Sequence, residues 1–396
     1  MGDAPPPTAA RRTEALFPST IRGLTAYAHQ RGAINMGQGS PDFPPPPEVV
    51  EAARQALADG VHQYVPTWGL PALRQALSEK AQRFQGLAYD PETETTVTCG
   101  VTEAVISALL AVVDAGDEVV ILEPAHENYH AGVVFAGATP IFVPIRPPTH
   151  RVDPDELAAA MARPGVRAVI FNSPHNPSGR VFDEDELATL ARLCTQHDVV
   201  AISDEIYEHM TYDGHAHVAI ATHPGMKERT ITISGLSKTY AATGWRVGWA
   251  YAPAALTDAI RKVHDFTTIC APSPLQQAAV TAARLPDAYY EELRAFYRAR
   301  RDRTVGMLRE AGFEATPPEG AYYLMAGMER LAERLGRDAD DQAFAHYLID
   351  EVGVGTVPGS SFYRSDPGLG RGLLRFAFPK SDATLDELER RLAVLR

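Results

Sequence analysis

Short apolar runs alternate with helical patterns from about residue 95 to residue 255. The runs are rich in β-branched side chains, and the segments between them are long enough for helices. The strand candidates are Thr95–Thr98, Glu118–Leu122, Thr139–Val143, Ala168–Asn172, Val199–Ser203, Thr230–Ile233 and Val247–Tyr251. This alternation predicts an α/β fold with a mostly parallel, seven-stranded sheet, in which ligands bind at the carboxyl ends of the strands.

Helical patterns fill the spaces between these runs. They include Thr102–Val113, Asp183–Gln196 and a more polar stretch at Ala216–Glu228. From about Pro272 the pattern changes to a long charged helical run, Gln276–Ala311, which leads into a tail of shorter elements. The change of pattern indicates that a second structural unit begins near this point.

The length of 396 residues also favours more than one domain. We predict a large domain over residues 46–281, and a smaller α+β domain built from both ends of the chain, residues 16–45 and 282–396. The Pro/Ala-rich start, residues 1–15, is expected to be disordered because it has little apolar surface to bury.

Composition and charge narrow the function classes. With 45% apolar and 22% charged residues, the chain reads as an ordinary globular protein. The net charge of −13 argues against a broad basic face for nucleic acid. No apolar run reaches the roughly 18 residues of a membrane span. The three cysteines, Cys99, Cys194 and Cys270, have no metal-type spacing and suit a reducing cytoplasm.

The segment SGLSKTYAATGWRVGWA, residues 234–250, carries the strongest chemical signal. Lys238 follows a strand candidate, and Arg246 comes eight residues later. A lysine in this position is ordinarily a solvated surface residue. Among small residues and with an arginine at this spacing, it suits a pyridoxal phosphate enzyme, in which a lysine amine forms a Schiff base with the cofactor aldehyde. The arginine and nearby hydroxyls would hold the cofactor phosphate.

Three other positions are candidate ligand contacts on physical grounds. Asp204 should lie buried at a strand end, where it could face a cofactor or simply cap a helix. Arg375 lies on a short apolar strand, where a buried guanidinium needs an anionic substrate or a structural salt bridge. Gly100 directly precedes a predicted helix, whose free N–H groups and dipole suit a phosphate.

Several segments follow the order of a known family. FNSPHNPSGRVF, NMGQGSPDFPPP, HQYVPTWGLPALRQAL and EPAHENYHAG join the lysine segment in a match from about Ile34 to the C-terminus. The chain resembles the class I/II aminotransferases, pyridoxal phosphate enzymes of fold type I. Within them it is most similar to the bacterial aspartate, methionine and glutamine transaminase branch.

The resemblance implies a role for each matched residue. Lys238 would bind the cofactor and move a proton, Asp204 would face the pyridine nitrogen, and Tyr207 and Asn176 would contact the cofactor 3′ oxygen. A phosphate cup is implied at Gly100, Val101, Thr102, Ser237 and Arg246. The substrate carboxylate would be held by Gly39, Asn176 and Arg375. Considered singly, Asn176 could instead lie in a plain turn, and Tyr207 could instead be a core tyrosine.

The family also implies a homodimer with shared active sites. Tyr64 would then reach the cofactor phosphate of the neighbouring subunit, although the sequence alone would also permit a core tyrosine. His126 departs from the family pattern, because relatives carry an aromatic residue there, stacked on the cofactor ring. We expect a neutral His126 to take that stacking position, with an ordinary surface histidine as the alternative.

The sequence gives fewer indications of which substrate is bound than of the cofactor site. Relatives of the glutamine and kynurenine type have a tryptophan near the position of Ile21 and aromatic residues near the positions of Ile269 and Cys270. In this chain all three positions carry aliphatic or small residues. An acidic substrate would need a second cation, for which Arg22 is a candidate. We expect ping-pong transamination between an L-amino acid and a 2-oxo acid. The alternatives are a C–S β-lyase and a decarboxylating or oxidising enzyme of secondary metabolism.

Overall fold

A computed structural model describes residues 9–396 as strands and helices in regular alternation through the middle of the chain. The strands are β1 (Ile34–Asn35), β2 (Thr95–Thr98), β3 (Glu118–Glu123), β4 (Thr139–Pro144), β5 (Val166–Asn172), β6 (Val200–Asp204), β7 (Thr230–Gly235), β8 (Gly248–Tyr251), β9 (Glu314–Ala315), β10 (Tyr323–Gly327), β11 (Val354–Gly355), β12 (Val357–Pro358) and β13 (Leu373–Ala377). The helices are α1 (Thr20–Gln30), α2 (Pro47–Ala58), α3 (Pro71–Gln85), α4 (Val101–Val112), α5 (Glu127–Phe135), α6 (Pro154–Met161), α7 (Glu184–His197), α8 (Leu236–Thr239), α9 (Ala254–Thr267), α10 (Ser273–Ala283), α11 (Asp287–Ala311), α12 (Glu329–Arg334), α13 (Asp341–Tyr347) and α14 (Asp382–Leu392).

The central sheet has seven strands in the order β2-β8-β7-β6-β5-β3-β4. β8 runs antiparallel to both of its neighbours, and the remaining pairs are parallel. All seven strand candidates of the sequence therefore lie in one sheet, which confirms the predicted α/β fold.

Both faces of this sheet are covered. Along β3, Val119 and Ile121 pack into one apolar cluster, whereas Val120 and Leu122 pack into another. Successive side chains of a strand point to opposite faces, so the two clusters lie on opposite sides of the sheet. Burial on both faces explains why the strands are continuous apolar runs rather than alternating ones.

Two helix predictions were wrong in detail. The stretch Ala216–Glu228 forms only two 3₁₀ turns, Ile220–Thr222 and Lys227–Arg229. Pro224 and Gly225 separate them, and Gly225 has a φ of 74°, outside the helical region. The long run from Gln276 is split between α10 and α11, because the chain turns at Pro286, just before α11.

A four-stranded antiparallel sheet, β12-β13-β10-β9, forms in the C-terminal part of the chain. β1 pairs in parallel with β11, which joins the N-terminal segment to that part. The domain limits of the sequence analysis remain predictions. The disorder expected at residues 1–15 also remains a prediction; residues 1–8 lie outside the described residues, and Arg11–Thr13 form a 3₁₀ turn.

Among residues 9–396, no helix combines the length and the apolar character that a membrane crossing requires.

Candidate active site

The carboxyl ends of β5, β6 and β7 meet at one edge of the central sheet. Asn172 ends β5 and Asp204 ends β6, and the two residues are paired in register. β7 leads directly into the short helix α8, which carries Lys238. One cavity at this edge is lined by nine predicted site residues: Val101, Thr102, His126, Asn176, Asp204, Tyr207, Ser237, Lys238 and Arg246.

A second cavity adjoins the first and shares His126, Asn176 and Lys238 with it. Gly39 and Arg375 line this second cavity. We call the two together the reaction cavity. The structure thus brings together the residues predicted from distant segments of the sequence, and it leaves Tyr64 apart from them.

Asp204 is buried at the end of β6, as expected. Its Oδ2 accepts a hydrogen bond from the Tyr129 hydroxyl at 2.6 Å, and its Oδ1 accepts one from the backbone N–H of Ile206 at 3.2 Å. Burial raises the pKa of Asp204 to about 6. The chain continues in a turn that carries Tyr207, so the alternative in which Asp204 caps a helix is wrong.

The Lys238 ammonium donates a hydrogen bond to the carbonyl oxygen of Gly39 at 3.3 Å. The rings of Tyr207 and Tyr322 lie 5.9 and 5.6 Å from its Nζ. Among the residues that the structure describes, no carboxylate forms an ion pair with Lys238. A lysine held this way has its nitrogen directed into a cavity rather than tied to an acid.

Arg375 is only 1% exposed on β13. One of its terminal nitrogens donates to Asn176 Oδ1 at 2.9 Å and the other to the carbonyl oxygen of Gly37 at 2.6 Å, and its Nε has no partner. Within residues 9–396 it has no ion-pair partner, and burial lowers its pKa. A buried guanidinium without a carboxylate is costly, which indicates that an anion completes this site.

The N-terminus of α4 lies beside Arg246 at the other end of the cavity. Gly100 precedes α4 with a φ of 79°, and no side chain caps the helix. A Cβ on Gly100 would lie 2.4 Å from Arg246 Nη2, so only glycine lets the arginine approach the helix start this closely. The free N–H groups of Val101 and Thr102, with the guanidinium, form a site suited to a phosphate.

His126 is half-buried at the start of α5, which it caps. Its Nδ1 accepts a hydrogen bond from the backbone N–H of Asn128 at 3.3 Å, which leaves the proton of the neutral ring on Nε2. Burial and the charges of Lys238, Arg375 and Arg22 lower the pKa of His126 to about 3. The ring is therefore neutral at pH 7, as expected.

Four residues of this region were missed as site residues in the sequence analysis. Tyr129 donates its hydroxyl hydrogen bond to the Asp204 carboxylate. Asn172 connects two predicted residues, because its amide donates to the Asp204 carbonyl at 2.6 Å and accepts from the Asn176 N–H at 2.7 Å. Lys380 donates to the carbonyls of Gln38 and Ser40. Tyr323 lines both parts of the reaction cavity.

These features define a class of protein. A buried carboxylate at a strand end, an unpaired lysine at the end of the neighbouring strand and a cationic cup at a helix N-terminus fit the pyridine ring, aldehyde and phosphate of pyridoxal phosphate. A fold with these groups at the carboxyl edge of a mostly parallel sheet is that of a fold type I pyridoxal phosphate enzyme.

Comparison with known proteins agrees with this class. The family model for aminotransferase class I and II matches residues 31–392. The chain is 41% identical over 383 residues to a probable N-succinyldiaminopimelate aminotransferase of Mycobacterium tuberculosis, with 94% of each chain covered. It is 37% identical over 372 residues to a methionine aminotransferase of Escherichia coli, again with 94% of each covered. A solved structure of the M. tuberculosis enzyme has a TM-score of 0.93 at 40% identity and covers 98% of this chain and 100% of its own.

The chain belongs to the class I and II aminotransferases. It is a pyridoxal phosphate-dependent enzyme that transfers amino groups between amino acids and 2-oxo acids. Both relatives described above are named as aminotransferases, and neither name supports the lyase alternative.

Proposed function

We propose that Lys238, Asp204 and Arg375 divide the work of transamination in the reaction cavity, and that the substrate carries a polar or acidic side chain. When bound, pyridoxal phosphate supplies an aldehyde that takes the amino group and a ring that accepts electrons. The Asp204 carboxylate would hold the proton on the ring nitrogen. Tyr207 and Asn176 would donate to the 3′ oxygen, and His126 would stack on the ring.

The phosphate would be held by Gly100, Val101, Thr102, Ser237 and Arg246. Support comes from the uncapped start of α4 and from Arg246, whose guanidinium donates only to the carbonyls of Thr243 and Cys99 among the residues described. Backbone carbonyls leave its charge uncompensated, so a phosphate would be a stronger partner than any it has in the protein.

The observation that carries the proposal is the unpaired, buried charge of Arg375. An amino acid carboxylate would neutralise it, while Asn176 and Gly39 complete the contact. Binding at this point fixes the substrate α-carbon relative to Lys238, which lies in the same cavity. Lys238 would then act as a general base at the substrate α-carbon and as a general acid at the former aldehyde carbon of the cofactor.

Polar residues surround the part of the cavity left for the substrate side chain. Gln38, Ser40, Arg22 and Glu127 line it together with Ile21. Arg22 is 75% exposed in its side chain and is 4.0 Å from the Glu127 carboxylate, so a distal carboxylate of the substrate would compete with Glu127 for this long ion pair. The name of the M. tuberculosis relative refers to an acidic substrate, N-succinyldiaminopimelate, which fits this arrangement.

We also propose a cytoplasmic homodimer with shared active sites. Tyr64 is 77% exposed, and the apolar residues Phe266 and Ile269 are 93% and 46% exposed. Exposed large apolar side chains of this kind suit a subunit interface. In such a dimer Tyr64 would reach the phosphate of the partner's cofactor. Sedimentation of the wild-type protein should give a dimer, and a monomer with full activity would contradict the shared site.

Reduction of the holoenzyme with borohydride, followed by peptide mapping, tests the assignment of Lys238. The cofactor should become fixed to the peptide that contains Lys238, and Lys80 or Lys380 should remain unmodified. Fixation at another lysine would overturn the proposed site.

The substrate class is tested with a panel of amino donors with and without a distal carboxylate. Their kcat/KM values are compared in the wild-type enzyme and in Arg22→Ala. An equal loss for both kinds of donor would remove Arg22 from specificity.

A further inference from the structure

Two neighbouring tyrosines, Tyr322 and Tyr323, are both buried but are used differently. The Tyr322 hydroxyl donates to the carbonyl oxygen of Gly39 at 2.6 Å, so its hydrogen bond is made within the protein. The Tyr323 hydroxyl accepts a long hydrogen bond from Tyr207 at 3.4 Å. Among the described residues, the proton of Tyr323 has no acceptor.

The Tyr323 side chain lines the same cavity as the lysine and the arginine of the site. It is 3% exposed and lines both parts of the reaction cavity. A Cβ on Gly39 would lie 1.7 Å from its hydroxyl oxygen, so the absence of a side chain at Gly39 is what gives that oxygen its place. The same Gly39 accepts the hydrogen bond of Lys238. The Tyr323 hydroxyl and the Lys238 amine thus both lie beside Gly39.

The ring of Tyr323 is in contact with Arg375. The two residues are diagonal neighbours across β10 and β13, since Met325 is opposite Arg375 and Ala377 is opposite Tyr323. The guanidinium carbon of Arg375 is 4.3 Å from the ring centre. An anion that binds Arg375 from the cavity therefore comes close to the edge of this ring.

The charges around Tyr323 strengthen its hydroxyl as a donor. Burial alone would raise the pKa of Tyr323, but Lys238, Arg375, the hydrogen bond from Tyr207 and Lys380 together lower it. A more acidic hydroxyl donates a stronger hydrogen bond, above all to a carboxylate. A buried hydroxyl without an acceptor costs free energy, and a bound carboxylate would remove that cost.

We propose that the Tyr323 hydroxyl donates a hydrogen bond to the substrate carboxylate that Arg375 pairs with, which makes Tyr323 a second carboxylate-binding and orienting residue. The inference rests on the proposed role of Arg375. It adds a neutral hydrogen-bond donor that the sequence motifs do not identify.

The test uses Tyr323→Phe holoenzyme, with Tyr251→Phe as a matched control. Tyr251 is equally buried, but its hydroxyl donates to the Leu77 carbonyl, outside the reaction cavity. The probe is glutarate, which keeps a distal carboxylate, lacks the amino group and cannot react. We expect the Tyr323→Phe substitution to raise the inhibition constant of this probe about tenfold, and to raise the KM of the amino donor by the same factor. The control should change neither.

Other outcomes separate the two proposals. If Arg375→Met weakens the inhibitor and Tyr323→Phe leaves it unchanged, the role of Tyr323 is wrong and that of Arg375 stands. If Arg375→Met leaves it unchanged, the carboxylate is bound elsewhere and both fall. A shift in the pH dependence of the cofactor absorbance in Tyr323→Phe, without a change in inhibition, would place its effect on Tyr207 and overturn the inference.

Discussion

Arg375 and Arg301 are two almost completely buried arginines with opposite surroundings. Arg301, in α11, forms ion pairs with Asp213 at 2.6 Å and Asp302 at 2.7 Å. Arg375, in β13, contacts only an amide oxygen, a carbonyl oxygen and aromatic rings among the residues described. The first arginine is neutralised by the fold, whereas the second has a charge that the fold leaves for a ligand.

Lys80 and Lys238 differ in the same way, since only one of them has a carboxylate partner. Lys80 is buried and paired with Glu208 at 2.5 Å, while Lys238 donates only to a carbonyl oxygen. Desolvated charges are costly unless they are paired, so a fold normally pairs them. Cations that are left without a carboxylate, and that share one cavity, are therefore the physical sign of the active site.

The lysine pair should give the largest effect. Lys238→Ala should lower kcat by about 10⁴-fold or more, because the proposed general acid and base is lost. Lys80→Ala should leave kcat nearly unchanged but lower the free energy of unfolding by about 3 to 5 kcal/mol, because Glu208 loses its partner. Steady-state kinetics and chemical denaturation of both variants check this. A loss of kcat in folded Lys80→Ala like that in Lys238→Ala would break the comparison.

The arginine pair should show the same separation. Arg375→Met should raise the KM of the amino donor about 100-fold, which corresponds to the loss of a charge-assisted contact. Arg301→Met should instead destabilise the fold by about 1 to 2 kcal/mol, because its aspartate partners are half exposed, and leave KM unchanged. The measurements are KM at saturating 2-oxo acid and the midpoint of urea unfolding. An unchanged KM in Arg375→Met would remove this residue from the substrate site.

Asp204 extends the comparison to a buried acid, whose effect is seen in the pH dependence of the free energy of unfolding. Its pKa is raised to about 6 in the folded protein and is about 3.9 in an unfolded chain. Between these values the folded state binds more protons, so the free energy of unfolding falls as pH rises from about 4 to about 6. The full cost, about 3 kcal/mol, is present above pH 6. In cofactor-free protein, Asp204→Asn should therefore gain stability relative to wild type at pH 7 and not at pH 4. Equal differences at both pH values would contradict the burial argument.

The smallest effect is expected at Tyr129. Removing its hydroxyl in Tyr129→Phe takes one hydrogen bond from the Asp204 carboxylate and should raise the pKa of Asp204 further. The pH at which stability falls should move upward, with a loss of about 1 kcal/mol at pH 7. Unfolding of cofactor-free Tyr129→Phe across this pH range measures it. Tyr251→Phe serves as the control, and a pH profile identical to wild type would show that Tyr129 does not act on Asp204.

The sequence predicted the fold well where a local pattern decides it. The seven apolar runs became the seven strands of the central sheet, because burial on both faces requires such runs. The order of the strands was not predicted, since it depends on contacts between distant segments. The false helix at Ala216–Glu228 shows the limit of a polar helical pattern that contains Pro224 and Gly225.

The site was predictable where a residue follows a strand or lies in a family motif, as Lys238 and Asp204 do. Tyr129 and Asp204 are 75 positions apart, so their hydrogen bond could not be read from spacing. In the same way, two adjacent tyrosines look alike in the segment AYYL, yet only Tyr323 lines the reaction cavity. Which charges are paired is a property of the folded chain, and the sequence shows only that they exist.

The most direct test mixes holoenzyme with a single amino acid, without a 2-oxo acid, and follows the cofactor absorbance at increasing amino acid concentration. The apparent Kd of this half-reaction should be unchanged in Arg301→Met and raised about 100-fold in Arg375→Met, with stoichiometric conversion to the amino form of the cofactor in every case. Equal apparent Kd values in the two variants would contradict the claim that the unpaired arginine binds the substrate.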